Sequence, residues 1–224
     1  EALMSPVKDC PLVIIKGPAG TAKTFYSLAV ALERLYNNNN NDGEKFRKAL
    51  VCRPYQLMDE EIGFLPGTEK EKIAPLFRGC YDNLEVLVDS DKESRLENEE
   101  ELQGKVTDIF DRKLIDFQSV GYLRGRSIES QILLVDEAQN LTPKQAKAIV
   151  TRAGEGTKVI LLGDCKQIDN QYLSSNNNGL SYLAETMKGS PLMAVITTDE
   201  SDIVRSPLAK EAIKYLESDE QFYM

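Results

Sequence analysis

The 224-residue sequence contains no histidine, and its four cysteines stand far apart at positions 10, 52, 80 and 165. Zinc sites draw on closely spaced Cys and His ligands, so this pattern argues against one. Cys52 and Cys165 lie in or beside apolar runs, where a thiol behaves as a small buried hydrophobe; reduced thiols in a cytoplasmic protein are expected. No apolar run approaches the roughly 20 residues a membrane span needs. The N-terminal EALMSPVKDC has neither a basic leader nor a long apolar segment, and it lacks an initiator Met, so the chain is expected to be cut from something longer. A basic surplus is also missing. The net charge of −9 leaves no wholly basic nucleic-acid face, only local clusters such as Arg124 and Arg126. Much of the acid lies in DSDKESRLENEEE, Asp89 to Glu101, with seven acids against two bases. That run reads as a solvated helix face or an acidic insertion over about 89–104.

What is present is a 42% hydrophobic chain, long enough for one large α/β domain over 1–224. Short apolar runs alternate with helical patterns. Leu12–Ile15, Ala49–Cys52, Gln131–Val135, Lys158–Leu162 and Met193–Thr197 read as strands, and Ile115–Val120 as a weaker one. From Lys23 onward Phe25, Leu28, Ala29, Leu32 and Leu35 recur at helical spacing. A helical stretch over Lys70–Leu87 is interrupted by Pro75. Thr142-Pro143-Lys144-Gln145 has the form of a capping box that starts another helix. Helices are also expected over Leu180–Lys188 and at the end, through Leu208, Ala212, Ile213 and Leu216. The asparagine-rich spots Asn37–Asn41 and Asn176–Asn178 read as exposed loops. Strands that are apolar throughout, with helices between them, imply a parallel sheet covered on both faces. Ligands of such sheets bind beyond the carboxyl ends of the strands, which brings the strand tips near 17, 136 and 163 into one crevice.

The first tip opens into GPAGTAKT: Gly17, Pro18, Ala19, Gly20, Thr21, Ala22, Lys23 and Thr24. A phosphate-binding loop has this shape, with Ala22 where the second glycine usually stands. Relaxed in that way, the motif turns up by chance in roughly one such chain in ten, so context must decide. Here the loop follows an apolar strand and opens an amphipathic helix, as phosphate binding by backbone N–H groups and a helix N-terminus demands. Lys23 would meet the β and γ phosphates and Thr24 would ligate Mg²⁺. If Ala22 must be left-handed it costs about 1–2 kcal/mol. The second tip, ILLVDE, ends an apolar strand in two acids. Asp136 can hold Mg²⁺, and Glu137 can accept a proton from an attacking water; a pure binding site needs the first acid only. The third, VILLGDCKQ, places Gln167 to sense a γ-phosphate and orient water.

The ordered set GPAGTAKT, RPYQLMDEEIGFLPGTEKEKIAPLFRGCYDNLE, VGYLRGRSI, LLVDEAQNLTPKQ, TRAGEGTKVILLGDCKQIDN and NGLSYL resembles the PhoH family of P-loop ATPases, from residue 12 to about 216. The similarity is closest to the ATPase half of members that carry an N-terminal PIN nuclease domain, a domain absent from these residues. The resemblance implies a RecA-like P-loop NTPase domain related to superfamily 1 helicases, with ATP and Mg²⁺ as its ligands. It makes Lys23 and Thr24 the loop's working pair, Asp136 and Glu137 the Walker B acids and Gln167 the phosphate sensor. Arg205, in Arg205-Ser206-Pro207-Leu208, resembles an arginine finger. Arg124 and Arg126 in RGRS match a basic spot of the family, open to RNA phosphate contact, a contact to ATP in trans, or structural pairing. Arg53 is a further candidate nucleic-acid contact.

A single loop and a single Walker B strand leave half a helicase site, so Arg205 would have to come from a neighbouring subunit. A closing heterologous interface, a ring, is then expected, and the resemblance favours a hexamer. The resulting expectation is a Mg²⁺-dependent ATPase working on single-stranded RNA, with an ATP-gated oligomeric assembly module of poor turnover as the alternative. A small-molecule kinase fits less well, because Glu137 would promote wasteful hydrolysis.

Overall fold

The computed structural model describes residues 1–37, 44–54, 74–89, 99–123, 125, 127–204, 206–209 and 211. Six strands form one sheet in the order β3-β2-β4-β5-β1-β6: β1 (Leu12–Lys16), β2 (Ala49–Arg53), β3 (Ile115–Ser119), β4 (Ile132–Val135), β5 (Lys158–Gly163) and β6 (Met193–Thr197). Every pairing is parallel. Among the described residues the longer helices are α1 (Lys23–Tyr36), α2 (Arg78–Val88), α3 (Glu99–Asp111), α4 (Pro143–Val150) and α5 (Gly179–Thr186).

Strand alternation sorts the apolar side chains into two layers. Val13, Ile15, Val51, Leu134 and Ile160 join α1, α2 and α3 in one cluster. Ile14, Leu50, Leu133, Val135 and Leu161 join α4 and α5 in the other. Both faces of the sheet are therefore covered, which is why its central strands are apolar except at their ends, where Lys16, Arg53 and Lys158 stand. Among the described residues no helix is long and apolar enough to cross a membrane.

Local chemistry explains the element ends. Thr142 Oγ1 accepts from Gln145 N at 3.2 Å while Gln145 Oε1 accepts from Thr142 N at 2.8 Å, with Pro143 in the first turn. The helical stretch expected over Lys70–Leu87 is broken near Pro75, as anticipated, in the part from residue 74 onward that is described. A 3₁₀ turn, Ala74–Phe77, precedes α2, because Pro75 has no N–H to donate and suits the tight first turn. In α1 the stripe turns slightly from the expected one: Leu28, Ala31, Leu32 and Leu35 are buried, while Phe25 and Ala29 are only half-buried. The Asn176–Asn178 reading needs correction at its last residue. Asn178 is fully buried and caps α5, accepting from Ser181 N at 2.9 Å and donating to Ser174 O and Ser175 O. A side chain with both donor and acceptor can satisfy a helix start and a turn together. The expected terminal helix, the loop over Asn37–Asn41 and the middle of the acidic run lie largely outside the described residues.

All four thiols are free; Cys10, Cys52 and Cys80 are buried and Cys165 is partly exposed. Burial pushes the Cys80 thiol up to about 12, and Cys52 up as well, again through burial. A thiol-reactive chromophore at neutral pH should label Cys165 promptly and the other three only on unfolding, as counted by absorbance before and after denaturant.

Candidate functional site

The parallel register decides what meets at the carboxyl edge. Lys16 pairs with Gly163, so the turn after β1 and the turn after β5 leave the sheet side by side, and Gly17 N donates to Gly163 O at 3.1 Å. β4 lies one strand further on. A cavity of about 240 Å³ opens among these tips, lined by loop residues including Ala22, Lys23 and Thr24 and by Asp136, Glu137, Asp164 and Gln167. The expected convergence of strand ends is thus present in the geometry.

The loop is braced by its own lysine. Lys23 Nζ donates to Gly17 O at 2.7 Å and Pro18 O at 2.6 Å. Burial lowers the Lys23 pKa, against the opposing pull of Asp164, Glu137 and Asp136. Ala19 N donates to Asp164 Oδ2 at 3.2 Å, so a carboxylate from the third tip already sits where an anion would be welcome. Ala22 is left-handed, φ 56° and ψ 24°, directly before α1. The methyl group has not changed the loop's path; it has made that path costlier. Ala22→Gly is therefore expected to stabilise the protein by about 0.5–1 kcal/mol, the relief of a left-handed Cβ less the extra entropy of glycine, read as a raised denaturant midpoint.

Thr24 Oγ1 donates to Asp136 Oδ1 at 3.1 Å across 112 residues of chain. A hydroxyl and a carboxylate held together form an oxygen pair of the kind a hard cation such as Mg²⁺ selects, so the residues present fit that ion. Asp136 Oδ2 accepts twice from Arg53, from Nε at 3.1 Å and Nη2 at 2.8 Å. Arg53 Nη1 donates to Leu76 O at 2.5 Å, and Nη2 lies 3.6 Å from Glu137 Oε1. Burial alone would lower the Arg53 pKa, but the charge and hydrogen bonds of Asp136 outweigh it and raise it. The guanidinium, considered above as a nucleic-acid contact, is engaged with the site's own acids. Arg124, Arg126 and Arg205 lie outside the described residues.

One residue the sequence reading missed organises the acids. After β4 the chain turns through a left-handed Glu137, φ 55°, into a 3₁₀ turn, Ala138–Asn140. That turn tucks Gln139 beneath the site, fully buried. Its Nε2 donates to Glu137 Oε2 at 2.7 Å and Gln167 O at 2.8 Å, and its Oε1 accepts from Asp164 N at 3.2 Å. Gln139 thus ties the second tip to the third. A Cβ on Gly163 would lie 2.2 Å from Gln139 Oε1, so only glycine leaves room there. The single sequence signal was a polar residue two places past Glu137. Asn140 adds a second tie, exchanging hydrogen bonds with Asp169.

A glycine-rich loop, an acid-tipped strand and a third polar tip meet at one edge of an all-parallel sheet, the arrangement of a P-loop domain. The description "PhoH-like protein" matches residues 1–217. Protein PhoH2 of Bacillus subtilis (strain 168) is 39% identical over 209 residues, 93% of this chain and 44% of that protein. A PhoH-like protein of the same organism is 34% identical, over 94% of this chain and 60% of its own length. A PhoH-like protein of Synechocystis is 32% identical, with coverages of 91% and 56%. The chain belongs to the PhoH family, and it spans about half the length of these relatives. Two solved structures show a weak likeness. One is a Sulfolobus solfataricus SWI2/SNF2 ATPase core in complex with dsDNA, at 17% identity, TM-score 0.42 and coverages of 95% and 50%. The other is Bacteroides sp Pif1 in complex with ADP-AlF4, at 16% identity, TM-score 0.39 and coverages of 100% and 46%. These likenesses are loose, and the family assignment rests on the sequence relatives.

Proposed function

We propose that this domain binds and hydrolyses ATP with Mg²⁺ and does so in association with RNA. The observation that carries the reading is the Thr24–Asp136 hydrogen bond, which joins the phosphate loop to the acid strand. Thr24 and Asp136 would hold the metal, which supplies charge neutralisation of the phosphates. Lys23 would exchange the carbonyls of Gly17 and Pro18 for phosphate oxygens without leaving the loop. Glu137, fixed by Gln139, would take the proton of the attacking water. Gln167 would orient that water, its backbone held by the same Gln139. Arg205 of a neighbouring subunit would complete charge stabilisation in a ring, a hexamer by family resemblance.

RNA association rests on membership of the PhoH family. Purified protein with Mg-ATP should release phosphate, Lys23→Ala should abolish the release, and single-stranded RNA should raise it. Equal rates for wild type and Lys23→Ala would overturn the ATPase reading; no response to RNA would overturn its second half. The assembly-module alternative has one observation in its favour, the left-handed Ala22. It predicts ATP-dependent oligomers by light scattering with little turnover.

A further inference from the structure

Toward the amino ends of β2 and β3, away from the strand tips that form the nucleotide site, lies a second cavity of about 400 Å³. None of the hydrolytic residues lines it. This volume is within the range of small-molecule pockets. Its walls include Phe77, Tyr81, Phe110 and Phe117, with Lys48 and Lys113 beside them. We propose that this cavity is a second ligand site, for a planar aromatic anion of nucleotide size. The ring lies against the aromatic walls and the charge meets Lys113. The inference does not depend on the reading of GPAGTAKT as a triphosphate site.

Four elements bring the aromatic walls together at the edge of the sheet. Phe77 ends the 3₁₀ turn, Tyr81 lies in α2, Phe110 in the last turn of α3 and Phe117 in the edge strand β3. Phe77 and Phe117 are buried and stacked, with ring centroids 4.6 Å apart. Tyr81 and Phe110 are half-buried. Their centroids lie 5.1 Å from each other and 5.0 and 5.5 Å from that of Phe117. The first pair serves the core, while the second leaves ring surface to the cavity. An aromatic ligand gains both burial and ring-to-ring contact on such walls.

The charges decide which aromatic ligand fits. Lys48 Nζ donates to Asp116 Oδ2 at 2.8 Å, and Gln118 Nε2 donates to the same oxygen at 2.8 Å. Asp116 is thus satisfied within the protein, and Lys48 is already paired. Arg112 is held by Asp108 at 3.3 Å. Lys113 is exposed, and among the described residues its Nζ has no ion pair or hydrogen bond. It is the charge left over at the cavity, and it selects an anion.

Lys113 also stands where a side chain is costly. It ends α3 in a left-handed conformation, φ 56°. Lys113 N donates to Phe110 O and Leu114 N to Ile109 O, both at 2.9 Å. Glycine is the usual residue at such a helix end, and a Cβ there costs about 1–2 kcal/mol. The position keeps its cation at that cost. A nucleotide supplies both parts the cavity calls for, a flat base to stack on aromatic side chains and a phosphate for the lysine. A free nucleotide and a nucleotide of single-stranded RNA share this chemistry.

The chain has no tryptophan, so Tyr81→Trp and, separately, Phe110→Trp each place a single fluorescent reporter on the wall. Both are made in a Lys23→Ala background, which removes the lysine of the phosphate loop. AMP should quench both reporters, adenosine should bind at least about fivefold more weakly, and ribose 5-phosphate should leave the emission unchanged. Lys113→Gly suits the left-handed turn, so it keeps the fold while removing the charge. It should weaken AMP by about fivefold and leave adenosine unchanged. A short single-stranded oligoadenylate, counted per nucleotide, that binds tighter than AMP makes RNA the source of the ligand. One that binds no better makes it the free nucleotide. Quenching of neither reporter would show that the walls are core packing only. An AMP affinity unchanged by Lys113→Gly would show that the cavity does not select an anion, and the assignment would fall.

Discussion

Glu137→Gln should lower phosphate release by about 10²–10⁴-fold, the usual contribution of a positioned general base, while leaving nucleotide affinity close to wild type. Glutamine has the same shape and its amide oxygen can still accept from Gln139 Nε2, which now donates to Glu137 Oε2 at 2.7 Å. The left-handed backbone at Glu137 is also held independently, by Asn140 N donating to Glu137 O at 3.0 Å. What is lost is the proton acceptor alone. Phosphate release beside calorimetric binding separates the two quantities. An unchanged rate would mean that another group takes the proton, and Asp136 is poorly placed for it because both its oxygens are already engaged.

Arg53→Met should destabilise the nucleotide-free protein by about 3 kcal/mol, toward the lower end of what breaking a buried ion pair costs. The side chain of Asp136 is 6% exposed and that of Arg53 25%. Without the guanidinium, Asp136 Oδ2 keeps no charged partner and Leu76 O loses a donor. Mg-nucleotide bound as proposed would supply a competing cation beside Asp136, so its addition should restore part of the lost stability in the variant. Denaturant unfolding with and without a non-hydrolysable Mg-nucleotide measures both effects. A loss of the same size in both conditions would show that Arg53 serves the fold and not the site.

Gln139 and Arg53 mark where sequence reading stopped. The loop and the acid pair were legible as candidates because each follows directly on an apolar strand, and Gln167 because it lies shortly past the end of β5, relations carried by nearby residues. Gln139 also follows β4, but its task depends on the turn through Glu137, and a left-handed glutamate is not visible in a string of letters. Arg53 looked like a free basic residue for nucleic acid. It meets Asp136 from 83 residues away, because β2 and β4 are neighbours in the sheet. Asn178 was misplaced for a related reason: its side chain caps a helix, and composition alone assigned it to an exposed loop.

By itself, then, the sequence determined the alternation of strands and helices, the parallel class of the sheet and which polar residues stand at each strand tip, since period and motif are local properties of the chain. The order of the strands, the brace beneath the acids, the ion pair on Asp136 and the aromatic cavity beside β3 were decided only in three dimensions. Each is a contact between segments distant along the chain, and the physical forces that choose such contacts act through burial and hydrogen-bond geometry, which no short window of residues contains.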